Sequence, residues 1–145
     1  MSATTPLTPL TPLTRTIEEA KRWTKKWRTK HPKISKAFRI PADDLVACLN
    51  EMGVKFSTDS NGKIQIVPEK YEPSVRAYLA IDDQDGEKLL IVGTTTENGT
   101  LYKDIVKDEK KLTADGDPSP NGSGVYDFTV PCPNDCDPGS PLFKD

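Results

Sequence analysis

A single histidine, His31, in 145 residues leaves little room for a catalytic triad or a histidine-built metal centre. No segment reads as G-x-G-x-x-G, as a phosphate-binding loop or as a nucleophile elbow, so nucleotide and ordinary hydrolase chemistry lack their sequence signatures and no cofactor is implied. No apolar run approaches the roughly 20 residues that span a bilayer. Met1–Thr14 lacks the charged start and apolar block of a secretory signal. The expectation is therefore a soluble, cytoplasmic protein. Apolar residues are also scarce: at 34% hydrophobic and 7% aromatic, the chain builds a core well short of its full length.

What apolar material exists is concentrated between Val75 and Gly93. Val75, Ala77, Leu79 and Ile81 alternate with Arg76, Tyr78, Ala80 and Asp82, the period of a strand with one buried face. Leu89–Val92 follows as a short unbroken apolar run, and Asp82–Glu87 between them supplies residues that tolerate a tight reversal. The expectation is a central antiparallel hairpin onto which the other elements pack.

Charge is distributed unevenly. Arg15–Arg39 holds ten of the twenty Lys and Arg residues against Glu18 and Glu19, so that segment carries +8 and the remainder −10. Thr16-Ile17-Glu18-Glu19 fits a capping box, and His31-Pro32 stops the helix it opens near Lys30. On a helical wheel Ile17, Ala20, Trp23, Thr24, Trp27 and His31 gather on one side, while Lys21, Arg22, Lys25, Lys26 and Arg28 spread over the other. Those five basic residues are the candidate binding face, suited to an anionic or protein partner. Nucleic acid is the less favoured occupant. The plainer reading is that the lysines are solvated and that Trp23 and Trp27 anchor the helix on the sheet.

Upstream, Thr5–Thr14 repeats P-L-T with prolines at 6, 9 and 12, which favours polyproline II geometry and sets Leu7, Leu10 and Leu13 along one edge. Residues 1–15 read as a flexible leader, with a docking strip as the functional alternative. Ser35–Pro41 suits a short strand. Pro41 opens a second helix in which Leu45, Val46, Leu49 and Met52 recur at helical spacing, Cys48 is a core thiol, and Asp43 and Asp44 serve the first turn rather than catalysis. Asn61-Gly62 and Asn98-Gly99 mark two further tight turns. Lys107–Gly124 reads as a mobile loop, and its Asp115 and Asp117, like Asp83 and Asp85, lack the spacing of a calcium loop.

Val125–Val130 reads as the last strand and runs into Pro131-Cys132-Pro133-Asn134-Asp135-Cys136. The pair Cys132 and Cys136 admits a local disulfide, two idle thiols, a metal site with outside ligands, or thiol cycling. Only Cys48 and His31 remain as further soft ligands, and the C-x3-C spacing differs from the C-x2-C of zinc knuckles and thioredoxin-type sites. The succession KAFRIP, VRAYLAI, LLIVG and YDFTVPCPNDC resembles a group of small bacterial proteins that share an aromatic strand followed by a P-C-P-x-x-C tail. That resemblance spans roughly Lys21 to Leu142, implies a shared fold, and implies no catalytic residue because the group has no established activity.

The expected architecture is α+β: two N-terminal helices packed on one face of a mostly antiparallel sheet, with a leader over 1–15, one domain over 16–131 and a cysteine-bearing tail over 132–145. The expected function is a non-enzymatic binding or adaptor module using the basic helix face and the extended ends. The alternative is a thiol, disulfide or metal-binding protein centred on Cys132 and Cys136. Oligomeric state is left open by the sequence.

Overall fold

The computed structural model describes residues 14–107 and 123–144. The P-L-T repeat and the carboxylates Asp115 and Asp117 lie outside the described residues. The fold is α+β, with both helices early in the chain and every strand pair antiparallel.

Helix α1 (Ile17–Lys30) begins with the capping box that its sequence encodes: the Glu19 N–H donates to the Thr16 hydroxyl at 3.2 Å, and the Thr16 N–H donates to the Glu19 carboxylate at 3.3 Å. Strand β1 (Ala37–Arg39) precedes helix α2 (Ala42–Glu51), which carries Asp43 and Asp44 in its first turn. Strands β2 (Phe56–Thr58) and β3 (Ile64–Ile66) form a hairpin whose turn is held by Asp59, its carboxylate accepting from the N–H groups of Asn61 and Lys63 at 2.8 and 2.9 Å.

Strands β4 (Val75–Ile81) and β5 (Glu87–Thr96) make the central hairpin, in register from Val75 opposite Gly93 to Ile81 opposite Glu87. Asp82 closes it by accepting from the N–H groups of Gly86 at 2.7 Å and Gln84 at 2.9 Å, bonds that hold its carboxyl below the usual carboxylate range. Strand β6 (Tyr102–Asp104) returns along β5 after the Asn98-Gly99 turn. The final strand is two pieces. Strand β7 (Val125–Tyr126) pairs with β5, and β8 (Val130–Cys132) leaves that sheet to pair with β1. The crossing occurs at Thr129, a buried residue whose hydroxyl donates to the Leu89 carbonyl at 2.7 Å. Pro131 has no N–H to offer an interior ladder, which suits an edge strand and not a continued central one.

The buried interior is small and centres on β5, with Ile91 3% and Val92 2% exposed, joined by Cys48, Val54 and Cys132. Strand β4 does not share that burial, against the expectation from its alternation: Leu79 and Ile81 are 72% and 73% exposed. Two facts account for the difference. On the polar face of β4, the Arg76 guanidinium and the Tyr78 hydroxyl both bind the Asp104 carboxylate, and Arg76 also donates to the Tyr102 carbonyl at 3.0 Å, so that face is drawn toward β6. On the apolar face, α2 covers only one end. A Cβ on Gly93 would lie 2.5 Å from Met52 Cγ, and Tyr126, opposite Ile91, hydrogen-bonds Glu51. A ten-residue helix is about 15 Å long. A seven-residue strand is about 23 Å long. The tip of the hairpin therefore extends past the helix that caps its root.

The Glu51 contact makes that junction pH-sensitive. Burial alone would raise the Glu51 carboxyl, but hydrogen bonds from Tyr126 and Lys107, with the Lys107 charge, outweigh it and hold the group below its ordinary range. A depressed carboxyl contributes stability that is present above its unfolded value of about 4.3 and is lost as pH falls through the folded value. Tyr126→Phe is expected to cost about 1–3 kcal/mol at neutral pH. Thermal melts between pH 7 and 3 should show a shallower acid-side decline for this variant than for the native chain. A parallel decline would place the sensitivity elsewhere.

Candidate functional site: an apolar groove at the hairpin tip

Because opposite partners in an antiparallel ladder share a face, Leu79, Ile81 and Glu87 project on the same side of the hairpin tip. Facing them are Trp27 from the last turns of α1, Ile34 from the segment after it, and Phe38 from β1. Between the two sets runs an open groove of about 710 Å³, lined mainly by carbon. Local chemistry places each wall. The Trp27 indole N–H donates to the Ser35 carbonyl at 3.3 Å, and its ring sits 4.0 Å from that of His31. The Ser35 N–H donates to the Glu87 carboxylate, so the segment leading into β1 is tied to the end of the hairpin. Ser35, through its hydroxyl and then its N–H, keeps the Glu87 carboxyl below its usual range.

The charged groups on the rim are engaged. Lys88 lies 3.5 Å from Asp127 and 4.0 Å from Asp82, and the Lys36 ammonium sits 5.1 Å from the Phe143 ring centre. Ser35 and Glu87 are the hydrogen-bonded polar pair in a groove whose lining is otherwise mainly apolar, with an aromatic wall. Covering Leu79 and Ile81 would release about 1.5–3 kcal/mol for each.

Neither tryptophan enters the core. Trp23 is 48% and Trp27 39% exposed, and α1 buries no residue, so the indoles line grooves and do not clamp the helix to the sheet. A second groove of about 490 Å³ opens on the other side of Trp27, between Trp23 and the C-terminal residues Leu142 and Phe143.

The sequence-derived basic residues divide between two settings. Lys21 lies 3.8 Å from Glu18, while Arg22, Lys25 and Lys26 lie on the exposed side of α1. Arg28 is half-buried and donates to the Leu142 carbonyl at 2.6 Å, which fastens the C-terminal residues to the helix. Cys132 and Cys136 are joined in a disulfide with a Cα–Cα separation of 4.8 Å, and Cys132 is fully buried beside β1. The bridge and the neighbouring Arg39–Asp135 pair at 2.9 Å shape the turn that forms the far wall of the second groove. Among the described residues, no three His, Cys, Asp or Glu side chains converge as a metal site requires.

Cys48 is buried, and that burial, with the Glu51 charge nearby, pushes its thiol above the ordinary cysteine value. The expected result of thiol titration without reductant is no reaction in the native chain and one thiol per chain after denaturation. Adding reductant should raise the denatured count to three. Three thiols without reductant would show that Cys132 and Cys136 are not joined.

The groove residues Ile34, Phe38, Leu79 and Ile81 are the ones that sequence reasoning did not assign to a site. Their signal was the shortage of apolar partners for a strand as apolar as β4. Among the described residues, no helix is long and apolar enough to cross a membrane. No family model, curated protein or solved structure matches the chain.

Proposed function

We propose that the protein is a non-enzymatic binding module whose recognition surface is the groove between Trp27, Ile34 and Phe38 on one side and Leu79 and Ile81 on the other. The observation that carries this reading is the outward-facing apolar tip of β4, two aliphatic side chains more than 70% exposed opposite a tryptophan. Isolated surface leucines are ordinary, but here five large apolar residues line one concavity. The occupant that fits is an extended protein segment with apolar residues at alternate positions and acidic residues between them. Its apolar side chains fill the groove, and its carboxylates meet the positive field of Arg22, Lys25 and Lys26 on the neighbouring helix.

The Cys132–Cys136 bridge serves this module as a staple. It closes a five-residue loop, a constraint of roughly 2 kcal/mol in the chain-entropy account. A formed bridge favours an oxidising compartment, whereas a cytoplasmic setting favours the reduced pair. The thiol count from freshly isolated protein therefore bears on location as well as on structure.

A fluorescein-labelled peptide of alternating leucine and glutamate tests the reading by anisotropy. Binding to the full chain is expected to saturate, to weaken as salt rises, and to be lost in Ile81→Asp. At a position this exposed, that substitution should change stability by no more than about 0.5 kcal/mol. Binding that is equal in Ile81→Asp and the native chain would overturn the groove as the recognition surface. Replacing Arg22 and Lys26 by glutamine should lower affinity and flatten the salt dependence while leaving the thermal midpoint in place.

A further inference from the structure

Taking the groove as a binding surface, we propose that its resident occupant is the chain's own P-L-T repeat, residues 5–13, folded back along α1 so that its leucines rest against Trp23, Trp27 and the Leu79–Ile81 tip. Partner segments then compete with the leader for the same site.

Four observations converge on this arrangement. The first is the direction in which the chain enters α1. The Arg15 guanidinium lies 5.5 Å from the Trp23 ring centre, so the side chain of the residue that leads into the N-cap reaches over the tryptophan side of the helix.

The second is reach. The thirteen residues that precede Thr14 span about 40 Å as polyproline II. From Ile17 to Trp27 the helix rises only about 15 Å. A leader that reverses at Thr14 has the length to reach Trp27 with residues to spare.

The third is periodicity. Three residues per turn place Leu7, Leu10 and Leu13 on one edge at intervals of about 9 Å, a row of apolar knobs for a row of partly exposed indoles and aliphatic side chains. The fourth is hydrogen-bond chemistry. Every third residue is proline and has no N–H, so the repeat can enter a carbon-lined groove without burying a full set of unpaired donors. Proline-rich extended segments are the ligands that aromatic-lined grooves take at low entropic cost.

The test uses the full chain in two forms, native and carrying Leu7→Asp, Leu10→Asp and Leu13→Asp, each also with Trp23→Phe so that Trp27 reports alone. The three leucines lie outside the described residues, and circular dichroism of both forms checks that each is folded. The aspartate form is expected to show red-shifted Trp27 emission and easier quenching by acrylamide, independent of protein concentration. A synthetic peptide of residues 1–14 added to it should restore the native emission saturably. The labelled leucine–glutamate peptide should bind the aspartate form more tightly than the native chain.

Equal emission, quenching and peptide affinity in the two forms would overturn the leader as occupant while leaving the groove reading intact. Failure of the labelled peptide to bind either form would instead remove the groove reading itself. Emission that changes with protein concentration, together with a native dimer that the three aspartates dissociate, would overturn seating within one chain.

Discussion

Replacing Ile91 by alanine is expected to destabilise the fold by about 2–5 kcal/mol, whereas Leu79→Ala should shift it by no more than about 0.5 kcal/mol. The two residues belong to the same hairpin, on the same face, and differ in what lies above them. Ile91 is 3% exposed, beneath the end of α2 and beside Tyr126, so truncation leaves a cavity that the surrounding side chains fill only in part. Leu79 lies past the reach of α2 and already meets water. Domains of this size are stable by only about 5–15 kcal/mol. With few residues in the interior, the loss at Ile91 is a large fraction of that total. Urea unfolding should show a lower midpoint at unchanged slope for Ile91→Ala, and coincident curves for Leu79→Ala and the native chain. The reverse order would mean that β4, and not β5, carries the core.

Gly124→Ala is expected to be as costly, for a different reason. Gly124 adopts φ +84°, which L-residues enter at a cost of about 1–2 kcal/mol. A Cβ there would also meet the Ile105 carbonyl oxygen at 2.6 Å, a backbone atom with no rotamer by which to yield. Overpacking of that kind adds about 1–3 kcal/mol. The residue stands where the chain returns to the sheet, between the Lys107–Ser123 backbone bond at 2.7 Å and the two-residue strand β7. Displacing it should release β7 from β5 and expose the Glu51–Tyr126 contact. Gly62→Ala is the control, with a similar φ of +78° and open space around it, and should cost about 1–2 kcal/mol. Circular dichroism melts of the two variants compare the terms directly. Equal midpoints would show that the Ile105 contact relaxes freely.

Elements written in short-range chemistry were legible in the sequence. The Thr16–Glu19 capping box, the stop at His31-Pro32, the Asn61-Gly62 and Asn98-Gly99 turns, and the Val75–Gly93 hairpin all depend on residues within a few positions of one another. Cys48 was placed correctly because its neighbours on α2 share one helical face. Which face of β4 would be covered was not legible. Alternation shows that a strand has an apolar side, but the length of α2 and the pull of Asp104 on Arg76 and Tyr78 decide whether anything lies over it. The division of the last strand likewise depends on a contact from Thr129 to Leu89, forty positions away. Arg28 resembles its neighbours on a wheel, and its bond to the Leu142 carbonyl, 114 positions away, is not visible there.

These differences share a cause and bear on function. A chain with little apolar material has left a concentrated part of it, Leu79 and Ile81, outside its own described interior, where it faces Trp27 across an open groove. Carbene footprinting of the Leu7→Asp, Leu10→Asp, Leu13→Asp chain, read residue by residue, measures this exposure most directly. Labelling of Leu79 and Ile81 far above that of Ile91 and Val92, and suppressed by the leucine–glutamate peptide, is the predicted result. Protection of Leu79 and Ile81 to the same degree as Ile91 in the absence of peptide would contradict it.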